Sequence, residues 1–304
     1  MDPGPRSIAH TKETAISDSP TTNCPLCDRQ GPLRALYPHL GIVKCDSCGL
    51  VFFPPQGVQT AQLYTEEYFT GAEYRDYLAD EKALRKNFRQ RLADVRRLKA
   101  GGRLMEIGCA YGLFLDEARA HYDVSGVDIA REALDYARDR LKLPVRYADF
   151  LSLEDEPSSR DVICMWDTLE HLSRPVEYIE KAARWLKPGG YLVMTTGDVG
   201  SRVARIRKDK WRLIHPPTHL FYFSCDTMRR AAQRAGLVEH SHRSVSYHRS
   251  YKSIAFGLFM AKAKKHPLLY RLCTVGGRLD FNIGLNLGDV VMYVARKPCD
   301  SNDQ

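Results

Sequence analysis

Between residues 103 and 196 short apolar runs alternate with amphipathic stretches of about ten residues, and nothing else in the chain constrains its fold as strongly. "RLMEIG", "VSGVDI", "VRYAD", "DVICMWD" and "YLVMTT" read as strands, while "LFLDEARAHY", "REALDYARDRL" and "PVEYIEKAARWL" read as helices. Strands interleaved with helices predict βαβ units, so the expected class is α/β with a parallel, doubly wound, Rossmann-like sheet. Ligands of such sheets sit beyond the carboxyl ends of the strands, which directs attention to the residues found there. The run "GDVVMYVARK" supplies a last strand, giving a main domain over residues 101–298 and a short tail at 299–304.

The first of these ends reads "LMEIGCAYGLFLDEA", residues 104–118. A dinucleotide loop, G-x-G-x-x-G, would fall on Gly108, Ala110 and Leu113, so two of its three glycines are missing. The loop therefore lacks the usual device for close pyrophosphate approach. It fits another pattern better, acid-x-Gly-x-x-x-Gly, with Glu106 ending the strand and Gly108 and Gly112 in the turn.

That pattern resembles the first motif of the class I S-adenosylmethionine-dependent methyltransferases, with Ala110 in place of the commonest form's middle glycine. The resemblance extends from about residue 100 to 297. Asp128 ends the second strand 22 positions after Glu106, where the family places an acid on the ribose hydroxyls. Asp149 ends the third strand, where the family has a residue beside the adenine amino group. The resemblance also assigns Ile129, Phe150 and Trp166 to the cofactor pocket and makes "KPGGYLVMTT", with Gly189 as helix stop, the helix-to-strand turn before the fifth strand. "WDTLEHL" and "HPPTHLFYFSCDTMRRAAQRAGL" are similar to a small-molecule branch that includes ubiquinone-pathway O-methyltransferases and antibiotic- and saccharide-tailoring relatives. The implied cofactor explains an acid-lined loop: S-adenosylmethionine carries a sulfonium and an amino group and no phosphate.

Methyl transfer to a hydroxyl benefits from a base that titrates near neutrality, for which histidine is the natural side chain. His171, just past the fourth strand, and His219, after the fifth, are the candidates. His219 is the preferred general base, because Pro216 and Pro217 should hold its approach extended and the aromatic "LFYF" that follows can wall an acceptor pocket. His215, Tyr222 and His248 are further candidates.

Upstream, "CPLCDRQGPLRALYPHLGIVKCDSCG" carries Cys24, Cys27, Cys45 and Cys48, with seventeen residues between the two C-x-x-C pairs. This spacing matches four-cysteine zinc sites; two tight turns close a tetrahedral thiolate shell with no open position, so the expected Zn2+ is structural. The module is assigned to residues 24–53, after a tail over 1–23 that has no apolar core. Residues 54–100 join it to the main domain. Tyr64, Tyr68, Tyr74 and Tyr77 there read either as an aromatic lid or as helix-face packing. The apolar positions Leu84, Phe88, Leu92, Val95 and Leu98 predict an amphipathic lead-in helix stopped by Gly101 and Gly102.

The chain of 304 residues has nine cysteines and no basic-then-apolar leader, which together point to a reducing, cytoplasmic setting. No run of 18 apolar residues offers a membrane span. The net charge of +8 suits an anionic partner or simply a basic surface. "SRVARIRKDKWR" could grip a phosphate, carboxylate or lipid head group, or be a solvated face. "SIAFGLFMAKAKKHPLLYR", with Lys262, Lys264 and Lys265, could touch a membrane surface or pack against the last strand. The expected activity is methylation of a small-molecule, saccharide or lipid-linked acceptor, with oligomeric state open. An RNA methyltransferase using the zinc module is the alternative, although the fourth strand ends in "MWDTLEH" rather than an Asn/Asp-Pro-Pro-Tyr motif. A non-catalytic zinc-ribbon binding protein is a third reading, opposed by the intact Glu106, Gly108, Gly112 and Asp128.

Overall fold

The N-terminal cysteines flank a small hairpin whose strands are β1 (Leu33–Tyr37), β2 (Ile42–Cys45) and β3 (Val51–Phe52). The computed structural model describes residues 23–28, 33–54, 77–252, 254–255 and 282–299. The tail up to residue 22, Tyr64, Tyr68, Tyr74 and the three lysines of the second basic stretch lie outside the described residues.

The lead-in helix is α1 (Glu81–Leu98), as its apolar spacing predicts, and it buries Phe88, Leu92 and Val95. Each such burial contributes about 1.5–3 kcal/mol. The main domain then alternates: β4 (Arg103–Ile107), α2 (Leu113–Ala118), β5 (Asp123–Asp128), α3 (Arg131–Asp139), β6 (Val145–Tyr147), β7 (Arg160–Trp166), α4 (Pro175–Trp185) and β8 (Leu186–Gly197). After α5 (Arg202–Arg207) come β9 (Phe221–Tyr222), α6 (Cys225–Arg234), β10 (Val238–Ser244), the hairpin β11 (Tyr247–Ser250) with β12 (Asn282–Leu285), and β13 (Val290–Arg296). The central sheet has seven strands in the order β10-β13-β8-β7-β4-β5-β6. Strands β4 to β8 are mutually parallel, whereas β13 and β10 add antiparallel. Every residue of β7 is buried, as a strand covered by helices on both faces requires.

The chain winds from β4 outward through β5 to β6, then crosses back to β7 and β8 on the other side. The order reverses between β4 and β7, so their carboxyl ends form the switch point at which open α/β sheets bind ligands.

Two local expectations change. Gly189 is not the helix stop: α4 ends at Trp185, β8 starts at Leu186, and Gly189, with φ +76°, sits inside the strand where its register to β7 shifts. Its N–H donates to Lys297 O at 2.9 Å, so the irregularity is held by the chain's own end. The cysteine hairpin, meanwhile, does not stand apart. β3 pairs antiparallel with β9, Val51 opposite Tyr222 and Phe52 opposite Phe221, completing a four-stranded sheet β1-β2-β3-β9. Cys24, Leu26, Leu50 and Phe52 pack in one apolar core with Met105, Ile163 and Phe223 of the main domain. A two-residue strand cannot bury itself, and the main domain supplies the missing face.

Candidate active site

The glycine loop lies at the switch point. From β4 the chain turns through Gly108, Ala110 and Gly112, with φ of +77°, +42° and +72°. A Cβ on Gly108 would stand 2.5 Å from two side-chain atoms of Thr168; one on Gly112 would stand 2.6 Å from Leu143 Cδ1 and 3.0 Å from Ala137 Cβ. Glycine is required at both positions, by backbone conformation and by close approach. Ala110 adopts the left-handed region at a cost of about 1–2 kcal/mol and brings its N–H to Asp128. Tyr77 stacks on Tyr111 of the loop, with centroids 5.1 Å apart.

Asp128 ends β5 and accepts from Ala110 N at 2.7 Å and Ala130 N at 2.8 Å. Burial raises its pKa against the opposing pull of these backbone donors. Glu106, on β4, is 2% exposed, and its Oε2 has no hydrogen-bond partner among the described residues. Burial first, and then the neighbouring Asp128, push its pKa well up, with Arg91 opposing. A buried carboxylate oxygen without a donor typically costs about 1–3 kcal/mol, so this loop favours a ligand that brings donors and positive charge.

Sequence reasoning missed a residue at the end of β7. Asp167, with φ +52°, accepts from Thr195 Oγ1 at 2.9 Å and from the Tyr247 hydroxyl, and Arg91 Nη2 lies 3.5 Å away. These partners come from α1, β8 and β11, so no local motif announces the cluster; a non-glycine residue forced to positive φ is its only signature, and φ is invisible in sequence. The other expected residues divide. Asp149 is exposed, accepts from Leu151 N at 2.8 Å and from the Tyr178 hydroxyl at 2.6 Å, and caps the turn Phe150–Ser152. Ile129 is partly exposed beside Asp128. Phe150 and Trp166, the other two residues expected at the pocket, are both buried. Phe150 packs 5.0 Å from Trp185, while Trp166 packs 5.0 Å from Phe114 and lies under the Arg91 guanidinium. Both follow the packing face of their own element.

His171 and His219 do meet, although they come from different connections. Their rings lie 4.6 Å apart at 86°, and His215 stands 5.4 Å from His219. Both residues are mostly enclosed by protein, with a part of each left exposed. The approach to His219 is a turn rather than an extended stretch: His219 N donates to His215 O at 2.8 Å, and the Pro216–Pro217 bond is cis. His171 Nδ1 meets Thr218 O at 2.8 Å and His219 Nδ1 meets Leu213 O at 2.9 Å. A carbonyl oxygen only accepts, so both Nδ1 atoms carry the proton and, in the neutral ring, both Nε2 atoms carry the lone pair. Burial lowers the pKa of His171 to about 4 and that of His219 well below the ordinary range, with the neighbouring histidines adding to the latter. Buried Glu170 completes the group: donor atoms of Glu170, His171 and His219 all lie within 4.8 Å of one another. Burial, then the charge of Asp167, push Glu170 up to about 8. Of the weaker candidates, His248 lies on β11 and hydrogen-bonds Asn87 of α1, and the Tyr222 hydroxyl donates to His219 O.

The four N-terminal thiols also converge. Cys24 and Cys48 sulfurs are 3.4 Å apart, Cys27 and Cys45 sulfurs 3.8 Å, and all four lie within 4.8 Å of one another. None of the described cysteines is in a disulfide. A tetrahedral zinc with sulfur at 2.3 Å would set these separations at about 3.8 Å.

A doubly wound sheet with an acid-lined glycine loop at its switch point, and histidines on the connections that follow β7 and β8, defines an open α/β protein whose ligand site lies beyond the carboxyl ends of the strands. The chain belongs to the methyltransferase-domain family, whose model matches residues 73–242, more than half of the sequence. It is 34% identical over 116 residues to a ubiquinone biosynthesis O-methyltransferase of Thiobacillus denitrificans, covering 36% of this chain and 50% of that protein. It is 33% identical over 113 residues to the 27-O-demethylrifamycin SV methyltransferase of Amycolatopsis mediterranei, covering 34% and 42%. The match thus spans about half the length of these curated relatives or less. In fold the chain resembles the crystal structure of a SAM-dependent methyltransferase from Thermotoga maritima, at 20% identity and a TM-score of 0.52, covering 79% of this chain and all of that one. No described helix is long and apolar enough to cross a membrane.

Proposed function

We propose that the protein transfers the methyl group of S-adenosylmethionine to a hydroxyl of a small-molecule, saccharide or lipid-linked acceptor. The observation that carries this reading is the buried Glu106 carboxylate with an unpartnered oxygen, beside Asp128 at the glycine loop. Such a site fits the cofactor's ammonium and ribose hydroxyls and does not fit a phosphate. In this reading Glu106 offsets the positive charge of the cofactor, Asp128 accepts from the ribose, and Asp149, the exposed carboxylate two residues past β6, stands on the adenine side. The cofactor, when bound, supplies a methyl group on a sulfonium leaving group.

His219 is the proposed base. With the cofactor bound, its sulfur would leave with the bonding electron pair as the methyl group passed to the acceptor oxygen, and His219 Nε2 would take the acceptor's proton. His219 Nδ1 stays fixed on Leu213 O, which holds the ring in the tautomer that accepts. His171, perpendicular to it, orients the ring and limits where an acceptor can enter. The four thiols are proposed to hold one structural Zn2+, consistent with the reducing environment of the cytoplasm.

Calorimetry with S-adenosylhomocysteine, followed by a labelled-methyl assay across phenolic and saccharide hydroxyls, tests the reading. Saturable binding at one site and transfer to oxygen are expected. Absence of cofactor binding to zinc-loaded protein would overturn it.

A further inference from the structure

The basic run "SRVARIRKDKWR" has two structural fates. Arg212 is taken up inside the fold: with Trp211 it holds the buried Asp289, Nη2 to Oδ1 at 2.9 Å. Arg205 and Lys208 instead line a cleft of 720 Å3 between the cysteine hairpin, α5 and α6. Lys44 of β2 and Arg230 of α6 face the same space. Among the described residues none of these four cations makes an ion pair. Of the two acids on the cleft wall, Asp226 pairs with Arg229 at 2.7 Å, while Asp198 accepts from Gly200 N at 2.8 Å and its charge is felt by Arg205 without a direct contact.

We propose that this cleft binds the phosphate or diphosphate group of a soluble acceptor. Four cations from three separate parts of the chain line one cleft without a direct ion pair, and the single carboxylate not taken by an arginine there, Asp198, balances only part of their charge, so an anion placed among them is favoured. The volume lies within the range of small-ligand pockets, and the cysteine hairpin forms one wall of the cleft. The position also fits. Asp198 directly follows β8 at the carboxyl edge of the sheet, and the connection that carries Lys208 and Trp211 into the cleft continues to His215 and His219. The identity of the ligand as acceptor rests on the methyltransferase reading; the anion site itself does not.

The test is calorimetry of the full, zinc-loaded chain with inorganic pyrophosphate at low salt. One site is expected, with Arg205→Ala and Arg230→Ala each weakening binding about tenfold, as loss of a charge-assisted contact does. Lys44→Gln should do the same at unchanged zinc content. Arg207→Ala and Lys210→Ala, in the same run but not on the cleft wall, should stay within about twofold. No pyrophosphate binding, or equal losses in both sets, overturns the proposal; so does protein that sediments with phosphatidylglycerol vesicles yet ignores pyrophosphate. S-adenosylhomocysteine binding, measured on the same variants, should not move. Pyrophosphate binding without it would leave the cleft standing and remove the cofactor reading, and the reverse result would do the opposite.

Discussion

The Tyr247 hydroxyl donates to both carboxylate oxygens of Asp167, at 2.5 and 2.6 Å, and so ties the β11 hairpin to the end of β7 at the switch point. Arg91 lies over the Tyr247 ring, 4.7 Å from its centroid, and also faces Asp167, so α1 joins the same cluster. Removing the hydroxyl by Tyr247→Phe should cost about 1 kcal/mol of stability, measured by urea denaturation. It should also weaken cofactor binding, because Asp167 loses a restraint on its left-handed backbone; an unchanged Kd would separate this cluster from the cofactor loop.

Asp128→Ala should weaken S-adenosylhomocysteine binding by about 1.5–3 kcal/mol, since a charge-assisted acceptor is lost. The loop N–H of Ala110 loses its partner too, so Asp128→Asn, which keeps one acceptor oxygen, should lie between Ala and wild type. Calorimetry on the three proteins checks that order.

Gly108→Ala should abolish cofactor binding, because the added Cβ would stand 2.5 Å from Thr168 in a backbone region that disfavours it. The double variant Gly108→Ala with Thr168→Ala should recover part of the affinity, the steric share, and leave the conformational share of about 1–2 kcal/mol.

His219→Ala should lower turnover by about a hundred- to ten-thousandfold with cofactor affinity nearly unchanged. Burial keeps both histidines neutral, so the wild-type rate should stay flat from pH 8 down past 6.5 and fall only toward the depressed values. Stability has the same sign. The folded His171 pKa, about 4, lies below its unfolded value, so its contribution is complete above the unfolded pKa and is lost as pH falls toward 4. His171→Asn should flatten stability across that window in acid-titrated unfolding.

One zinc per chain should appear in elemental analysis of protein purified without chelator. Cys45→Ser should remove it and unfold the hairpin, because the metal supplies that module's folding energy.

The glycine turn at Gly108 and Gly112 and the convergence of the paired cysteines were legible from spacing along the chain, while the resemblance to methyltransferases supplied the expectations for Glu106 and Asp128. The strand and helix alternation was legible from spacing as well. Arg91, Asp167 and Tyr247 were not, since their contacts join positions 76 and 80 residues apart. The ring packing of Phe150 on Trp185 and of Trp166 on Phe114 was not legible either, because position at a strand end does not say which way a ring turns.

The pairing of β3 with β9 sets a timetable for synthesis. Phe52 and its partner Phe221 are 169 residues apart, so at about 5–20 residues per second the hairpin leaves the ribosome roughly ten to thirty seconds before the strand that covers it is made. Over that interval its thiols are accessible and its edge is bare. If the four thiols hold zinc as proposed, capture of the ion by the nascent chain would protect the thiols over that interval, while the strand edge would stay bare until β9 is made.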